Sequence, residues 1–402
     1  MGQIPRSQIP RSQIPTSSEV VVIGGGIIGC AIAYYCAKAG LEVTLLERGE
    51  IGGGTSTHCD GNILAIDKDP GFDSQMGLKS QELVKDLVRE LDDFEYRERG
   101  SILVCESDAE MEAAQSWVNM QKALGLPFRM LDRQDLKDDS PYFAPDLPGG
   151  LECGTDSTIS PPHMIYALCW GAKTHGARIL PFTGCTGFRR EADGAISGVE
   201  TAQGTIATKV AVNAGGVWAP AIAAMVGVDL PIKPRKGHIL VASRTFLVSR
   251  RKVMEFGYLM SKFGKSRVVD AETEKYGVAM VYERTASNNF LIGSSRQFVG
   301  IDHAVDMDVI RVMARRAIRF YPVLKDIQVI RTYAGVRPWM PDHLPIISPV
   351  PAVPGFWVAA GHEGDGIGLA AVTGRLMSEM LTGQPTCIPT EPVRLDRFGS
   401  AH

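Results

Sequence analysis

The clearest pattern along this chain is a run of β-branched residues at 19–23 that ends in a glycine-rich turn at 24–29, which reads GGGIIG. The apolar stretch 30–39 predicts a buried helix, and the alternating run 42–46 predicts a second strand. A strand, a glycine turn, a helix and a second strand within about 30 residues are typical of a dinucleotide-binding unit.

Each part of this unit has a physical role. Gly24 permits the tight turn, Gly26 lets the backbone approach a pyrophosphate, and Gly29 lets the helix pack close to the sheet. The helix N-terminus offers N–H groups to phosphates, and Glu47 ends the second strand where a carboxylate can accept a hydrogen bond from a ribose. This unit alone does not indicate whether the dinucleotide is NAD or FAD. Its candidate binding residues are Gly24, Gly26, Ile27, Ile28, Gly29, Glu47 and Arg48.

A second loop, 52–62, reads GGGTSTHCDGN and follows directly on the acidic strand end. Glycines and hydroxyls there suit a loop that wraps a pyrophosphate, although a surface loop has the same composition. The candidate cofactor residues of this loop are Gly54, Thr55, Ser56, Asp60, Gly61 and Asn62.

Two distant strands end in similar turns. The strand at 209–212 leads into NAGGVW at 213–218, and the strand at 356–360 leads into GHEGDGIG at 361–368, followed by a helix to about residue 381. Parallel sheets collect such turns at the carboxyl ends of their strands, where ligands bind. The candidates from these two turns are Asn213, Ala214, Gly215, Trp218, Gly361, His362, Glu363, Gly364, Asp365, Gly366 and Ile367.

Composition narrows the class of protein. The 402 residues carry a formal net charge of −3, which gives no indication of a nucleic-acid partner, and no apolar run approaches the roughly 20 residues of a membrane helix. Eight scattered cysteines without a C-x-x-C pair predict no metal site and indicate a reducing, cytoplasmic setting. Residues 1–17 repeat Gln-Ile-Pro and are interpreted as a disordered tail.

Taken together, four blocks resemble the D-amino-acid-oxidase-type FAD oxidoreductases, which include glycine oxidase, sarcosine oxidase and several amino-acid dehydrogenases. The blocks are 20–47, 54–62, 213–218 and 333–374, and the resemblance covers nearly all of 19–385. The AGVRP sequence at 334–338 is the most family-specific of them. Within the family, 59–62 and 362–366 look closest to opine-oxidase B subunits, hydroxyproline dehydrogenases and a cyanide-synthase-like branch.

The resemblance implies an α/β fold: a Rossmann-like FAD-binding domain of the glutathione-reductase type with an interleaved α+β substrate domain built on an antiparallel sheet. It assigns 18–78, 151–222 and 333–385 to the FAD domain and 79–150 and 223–332 to the substrate domain, with a C-terminal tail at 386–402. Amphipathic patterns predict helices at 81–91 and 108–124. Strands are expected at 176–191, 194–201, 238–242, 278–282 and 289–292.

By resemblance, the reaction is oxidation of a C–N bond, with Arg337 as the clamp for the α-carboxylate and Gly335 beside the cofactor. A guanidinium binds a carboxylate through two parallel hydrogen bonds. Some relatives carry a second arginine where this chain has Gly364, so the clamp is either incomplete or completed by a tyrosine such as Tyr282 or Tyr258. The backbone near Cys185 is expected to meet the adenine.

The same resemblance raises two further questions: whether the flavin is attached covalently, and what three carboxylates in the predicted cofactor loops bind. His58 fits the spacing of a covalent flavin tether, but Trp339 and Met340 stand where the other family tether has a cysteine, and non-covalent FAD is expected. Asp60, Glu363 and Asp365 either cap helices and bind the cofactor, or one of them meets a cationic group of a basic, arginine-like substrate.

The function expected is oxidation of an amino acid to an imine, hydrolysed to a 2-oxo acid and ammonia, with the flavin reoxidised by oxygen or another acceptor. D-amino acids, L-amino acids and secondary amines stay open. Alternatives are a B-type subunit of an opine, hydroxyproline or secondary-amine dehydrogenase that passes electrons to a partner, and a NAD-binding or non-catalytic protein. Homo-oligomerisation also stays open.

Overall fold

The computed structural model describes residues 14–244, 246–262 and 267–399. Residues 1–13 of the expected tail lie outside these ranges. Residues 14–17 are not a free tail, because Ile14 packs on the core and the N–H of Ala207 donates to the carbonyl of Thr16 at 2.9 Å.

The described residues form ten α-helices. They are α1 (Ile27–Lys38), α2 (Phe72–Glu90), α3 (Asp108–Ala123), α4 (Arg133–Asp139), α5 (Pro161–Thr174), α6 (Ala219–Ala224), α7 (Phe256–Lys262), α8 (Ala271–Lys275), α9 (Met307–Phe320) and α10 (Gly366–Leu381).

Twenty strands accompany them in the same ranges. They are β1 (Val20–Ile23), β2 (Val43–Leu46), β3 (Asn62–Ile63), β4 (Arg97–Glu98), β5 (Ser101–Cys105), β6 (Phe128–Asp132), β7 (Gly149–Cys153), β8 (Ser157–Thr158), β9 (Arg178–Leu180), β10 (Cys185–Arg190), β11 (Ile196–Thr201), β12 (Gly204–Ala207), β13 (Val210–Asn213), β14 (Lys233–Ala242), β15 (Lys252–Glu255), β16 (Val281–Arg284), β17 (Phe290–Gly293), β18 (Val329–Trp339), β19 (Ile346–Pro349) and β20 (Phe356–Ala360).

The first large sheet has six strands in the order β19-β20-β13-β1-β2-β9, and all pairs are parallel except the edge pair β19–β20. Helices α1, α5 and α10 pack together on it around a core of buried aliphatic and aromatic side chains. Because β1, β2, β13 and β20 run in the same direction, the turns that follow them meet at one edge. The predicted α/β fold class is confirmed.

The second large sheet has eight strands in the order β18-β14-β17-β16-β15-β5-β7-β6, with one parallel pair, β15–β5, among antiparallel neighbours. Two expected domain boundaries fall inside its strands: residue 151 lies within β7 and residue 333 lies within β18. Strand β18 pairs with β14 over nearly its whole length. Two smaller sheets, β10-β11-β12 and β3-β8-β4, complete the fold.

Local differences from the predicted elements have local causes. The strand expected at 176–191 is two strands, β9 and β10, because Pro181 has no N–H to donate and Phe182 adopts a positive φ of 56°. The helix expected at 81–91 begins nine residues earlier, at Phe72. The described part of the C-terminal segment packs on the fold through buried Val393 and Leu395 rather than forming a tail.

Within the ranges that the structure describes, no helix combines the length and the apolar character needed to cross a bilayer.

Candidate active site

A cleft with a volume of about 380 Å³ lies at the carboxyl ends of β1, β2, β13 and β20. Its walls come from the glycine turn after β1, the loop 53–60, the turn after β13, and the loop before α10. The predicted residues that line it are Gly24, Gly26, Ile27, Ile28, Glu47, Arg48, Gly54, Thr55, Ser56, Asp60, Cys185, Ala214, Gly215, Trp218, Gly335, Arg337, His362, Glu363, Gly364, Gly366 and Ile367.

The glycine turn is built by contacts that a side chain would prevent. Gly24 adopts a φ of 119°, and a Cβ at Gly29 would lie 1.9 Å from the Gly24 carbonyl oxygen. Helix α1 therefore starts in contact with the end of β1, and its first-turn N–H groups point to the cleft without intrahelical partners. One of them, on Ile27, donates to the Ser56 hydroxyl at 3.1 Å.

Glu47 organises the opposite wall. Its carboxylate accepts hydrogen bonds from the backbone N–H groups of Gly25 and Gly49, both at 2.8 Å. The neighbouring Arg48 guanidinium lies 4.1 Å from the ring centroid of Trp218, which closes this end of the cleft. A carboxylate and a stacked arginine beside the glycine turn fit the ribose and pyrophosphate of a dinucleotide.

Arg337 lies at the other end, on β18 opposite Arg235 of β14. Its Nη1 donates to the Ser295 carbonyl at 3.0 Å. A Cβ at Gly237 would lie 2.5–2.6 Å from the Arg337 guanidinium, so this glycine leaves the space that the guanidinium fills. The hydroxyl of Thr55 donates to the carbonyl of Val336 at 2.6 Å, and this hydrogen bond joins β18 to the loop 53–60.

Beyond Arg337 the cleft continues into a small polar chamber of about 30 Å³. Asp60, Arg337 and Gly364 line both the cleft and the chamber. The other residues of the chamber are Asn62, Leu64, Asp67, Lys68, Met254, Tyr258, Val281, Ser294, Asp365 and Gly368.

Glu363 has internal partners for both of its carboxylate oxygens. Oε2 accepts from Arg235 at 2.9 Å, and Oε1 accepts from the Met340 N–H and faces His343 Nδ1, both at 3.1 Å. Burial alone would raise the pKa of the Glu363 carboxyl, but the His343 hydrogen bond and the Arg235 charge hold it below its ordinary value.

Asp365 is held between two buried lysines. Lys68 Nζ lies 2.7 Å from its Oδ1 and Lys262 Nζ lies 3.1 Å from its Oδ2, while Asp67 contacts the same two ammonium groups at 3.2 and 3.3 Å. Burial opposes ionisation of Asp365, but the charges of Lys262 and Lys68 hold its pKa below the ordinary value.

Asp60 shares a lysine with a second carboxylate. Lys252 Nζ lies 2.9 Å from Asp60 Oδ2 and 3.3 Å from Glu283 Oε2, and the Gly61 N–H also donates to Glu283 at 3.0 Å. A Cβ at Gly61 would lie 1.8 Å from the Ile159 carbonyl oxygen, so only glycine brings this N–H so close.

Two histidines line the cleft. His58 Nδ1 lies 2.9 Å from the Gly54 carbonyl oxygen, and its ring faces His303 at 6.0 Å between centroids. Buried His362 lies 2.9 Å from the Thr373 hydroxyl, and burial lowers its pKa to about 3. His362 is therefore neutral at ordinary pH.

Several predicted residues lie just behind the cleft. Gly29 and Gly361 permit close backbone packing, Gly61 contacts Glu283, and the Asn213 side chain accepts from Gly215 and donates to Ala219, shaping the turn after β13. Asn62, Asp365 and Tyr258 line the chamber instead.

The structure contradicts the prediction that Tyr282 could complete the carboxylate clamp. Its side chain is buried in the core of the second sheet, and its hydroxyl faces the Ser249 carbonyl at 3.4 Å. It lines neither the cleft nor the chamber. Of the two tyrosines expected to complete the clamp, only Tyr258 lies beside Arg337, with Arg296 stacked on its ring at 4.3 Å.

The sequence reasoning missed the buried cations Lys68, Arg235, Lys252 and Lys262 and the carboxylate Glu283. Gly237 offered the one usable signal, because a glycine inside a strand often marks a close approach by another group. The lysines offered no comparable signal, because the residues around Lys68, Lys252 and Lys262 do not indicate which distant carboxylate each lysine meets.

Comparisons with known proteins agree with this geometry. A model of the family described as "DAO: FAD dependent oxidoreductase" matches residues 19–380. Glycine oxidase of Geobacillus kaustophilus is 26% identical over 94% of this chain and 97% of its own length. Hydrogen cyanide synthase subunit HcnC of Pseudomonas aeruginosa is 28% identical over 94% and 96%. The crystal structure of L-proline dehydrogenase from P. horikoshii superposes with a TM-score of 0.86 at 27% identity, over 96% of this chain and 98% of that one.

Proposed function

Because this chain belongs to the DAO family of FAD-dependent oxidoreductases, we propose that it oxidises the C–N bond of an amino acid whose carboxylate binds Arg337. FAD as the cofactor, predicted from the sequence, is confirmed by the family. Similarity to a glycine oxidase and to an L-proline dehydrogenase supports an amino-acid substrate with either a primary or a secondary amine.

The cleft fits FAD at several points. The first turn of α1, Glu47 and the Arg48–Trp218 pair would hold the dinucleotide end, and the loop before α10 would hold the ring system. Glycines at 24 and 26 leave the backbone open to the cofactor. When bound, FAD supplies the acceptor for the α-hydrogen and its electron pair, as a hydride equivalent.

Arg337 carries the proposal. Its guanidinium lies where the cleft meets the chamber, and no salt bridge to a carboxylate is found for it within the described ranges. An arginine in such a place is suited to a substrate carboxylate, which it can bind with two hydrogen bonds. Tyr258 lies in the same chamber and is proposed to bound the substrate on one side.

The substrate side chain is proposed to be neutral rather than basic. Glu363 is paired with Arg235, and Asp365 is paired with Lys68 and Lys262, so neither is available for a substrate guanidinium.

Oxidation would give an imine, which water hydrolyses to a 2-oxo acid and ammonia or a primary amine. The acceptor that reoxidises the flavin is proposed to be oxygen or another oxidant. His58 Nδ1 already faces the Gly54 carbonyl, and we propose that the FAD is held without a covalent bond.

The test is anaerobic bleaching of the flavin absorption by a panel of D- and L-amino acids and secondary amines. A neutral amino acid should bleach the wild-type protein. Arg337→Gln should lower kcat/KM by about 100-fold or more, because a buried charged contact is worth about 2–5 kcal/mol. Arg331→Gln, on the same strand but exposed, should leave kcat/KM within about twofold.

Retention of full activity by Arg337→Gln would refute the clamp. A yellow protein that no amino acid bleaches would refute the amino-acid substrate.

The alternative of a partner-dependent subunit is favoured by the similarity to a hydrogen cyanide synthase subunit. The loop after β17 also exposes Phe298, Val299 and Ile301, each at least 49% accessible. The purified single chain would then bind FAD but turn over slowly until a partner is added. The molecular mass in solution and the steady-state turnover of the isolated chain distinguish a self-sufficient enzyme from a subunit that needs a partner.

A further inference from the structure

We propose that Asp60 binds the ammonium group of the substrate and accepts a proton from it before the C–N bond is oxidised. This inference rests on the proposed function and concerns the same chamber. It makes Asp60 a catalytic residue, with Lys252 and Glu283 as positioning residues.

The first support is the placement of Asp60. It lines both the cleft and the chamber, as Arg337 does, and the Arg337 charge acts on the Asp60 carboxyl. An amino acid carries its carboxylate and its ammonium on one carbon atom. A site that binds it therefore needs a cation and an anion close together, and these two side chains supply them.

The second support is the balance of buried charge. Lys252 is 1% exposed and pairs with both Asp60 and Glu283, which is 3% exposed. One lysine thus faces two carboxylates, so the cluster of Asp60, Lys252 and Glu283 carries one negative charge in excess, and an uncompensated buried charge is costly. The substrate ammonium can offset this charge, either as a cation or by giving up a proton.

The third support is the side-chain oxygen of Asn62, which lines the chamber. This Oδ1 atom is a buried acceptor that has no hydrogen-bond donor among the residues that the structure describes. The Asn62 side chain also hydrogen-bonds Asp60. Buried acceptors are nearly always satisfied, and an ammonium group has three N–H donors to share between Asp60 and Asn62.

The titratable and charged groups around Asp60 favour an ionised carboxylate before substrate binds. Burial would raise the pKa of Asp60, but Lys252 and then Arg337 hold it below its ordinary value, so Asp60 is an anion before substrate binds. When the substrate carboxylate occupies Arg337, the Arg337 charge is offset and Asp60 becomes the stronger base that the proton transfer needs. Burial raises the pKa of Glu283, and the Asp60 charge adds to this. Cys59, next to Asp60, and Tyr333 on β18 also face the Asp60 and Glu283 carboxylates, and burial raises the pKa of both side chains.

In the proposed proton transfer, each bond that forms is matched by a bond that breaks. An N–H bond of the ammonium breaks and an O–H bond forms on Asp60, which leaves a neutral amine with a lone pair. Bound FAD would then accept the α-hydrogen together with the electron pair of the Cα–H bond, and the nitrogen lone pair would form the C=N bond. The proton on Asp60 returns to solvent through the cleft.

The experiment measures the anaerobic bleaching rate of the holoenzyme against pH, using the amino acid that bleaches the wild-type protein. Wild-type protein takes up the ammonium form, so its rate should change little around neutral pH. Asp60→Asn needs the free amine from solution. Its rate at neutral pH should be about 100-fold lower and should rise about tenfold per pH unit. Asp86→Asn, which changes a side chain on α2 that is 48% exposed, should match the wild type.

A second readout separates the amine from the carboxylate. Acetate, which has no amine, should perturb the flavin spectrum of Asp60→Asn as it does that of the wild type, whereas Arg337→Gln should lose this effect. Asp60→Asn keeps a Lys252–Glu283 pair, so the variant is expected to fold and to stay yellow.

Two results would overturn the assignment: an Asp60→Asn rate and pH profile equal to those of the wild type, or a wild-type rate that itself rises tenfold per pH unit. The second needs no variant. Wild-type protein bleached by no amine at any pH would instead overturn the proposed function, and this inference with it.

Discussion

Glycine positions around α1 control how closely the helix approaches the sheet and therefore the shape of the cofactor end of the cleft. Gly29 is the tightest of them, because a Cβ there would lie 1.9 Å from the carbonyl oxygen of Gly24 and 3.5 Å from the Ala214 Cβ. Neither the Gly24 carbonyl nor the first turn of α1 can move without changing the N–H groups that face the cleft.

Gly29→Ala should therefore lower both stability and FAD content. We expect a loss of at least about 2 kcal/mol in the free energy of unfolding, from overpacking, together with weaker FAD retention. Gly154→Ala is the matched control, because an added Cβ there meets nothing within 4 Å. Urea unfolding and the ratio of flavin to protein absorbance measure the two effects. An unchanged FAD content in Gly29→Ala would contradict this role for the glycine.

At the scale of elements, His238 joins β14 to the start of α9. Its Nδ1 lies 2.8 Å from the Ser295 hydroxyl, and its Nε2 accepts the backbone N–H of Asp306 at 3.2 Å. Burial, and then the Lys236 charge, lower the pKa of His238 from 6.5 to about 4. The neutral imidazole is the form that fits, because a protonated Nε2 would face an N–H donor.

The unfolding free energy should therefore depend on pH through His238. The unfolded chain binds the proton at higher pH than the folded chain, so this contribution is complete above pH 6.5 and is lost as pH falls through about 4. The loss is about 3 kcal/mol. His238→Gln should flatten this part of the pH profile, measured by urea unfolding, whereas His163→Gln, at an exposed position on α5, should keep the wild-type slope. Equal slopes in all three proteins would refute the prediction.

At the scale of the whole molecule, the two large sheets meet around the small polar chamber next to Arg337. Strand β18 brings Gly335 against the loop 53–60, where a Cβ added to Gly335 would lie 2.4 Å from the carbonyl oxygen of His58. On the other side, Lys262 of α7 reaches Asp365 at the start of α10 and Asp67 after β3. These contacts fix the chamber relative to the cleft.

Lys262→Met should destabilise the whole fold, because it leaves Asp365 and Asp67 buried with one lysine, Lys68, between them. Removing one partner of a buried ion pair costs about 3–5 kcal/mol. Lys79→Met, which breaks a solvent-exposed pair with Glu82 on α2, should change stability by less than about 1 kcal/mol. Thermal unfolding of the FAD-bound proteins measures both. Equal transition temperatures would contradict a joining role for Lys262.

The sequence by itself determined the dinucleotide unit, the α/β class and most of the cleft lining. Glycine turns, β-branched runs and helix periodicity act over a few residues, so they are visible without the fold. The rule that parallel strands present their carboxyl ends together then placed the turns after β1, β13 and β20 at one cleft.

Only the tertiary structure decided which charges meet. Lys252 and Asp60 are 192 residues apart, and Lys262 and Asp365 are 103 apart, so their pairing depends on long-range packing that leaves no local pattern. The placement of Tyr258 rather than Tyr282 at the chamber is likewise a result of the tertiary structure. Both tyrosines lie in apolar stretches of sequence, and only the packing of α7 and the register of β16 decide which of them lines the chamber. Burial and pairing of charge are properties of the whole fold.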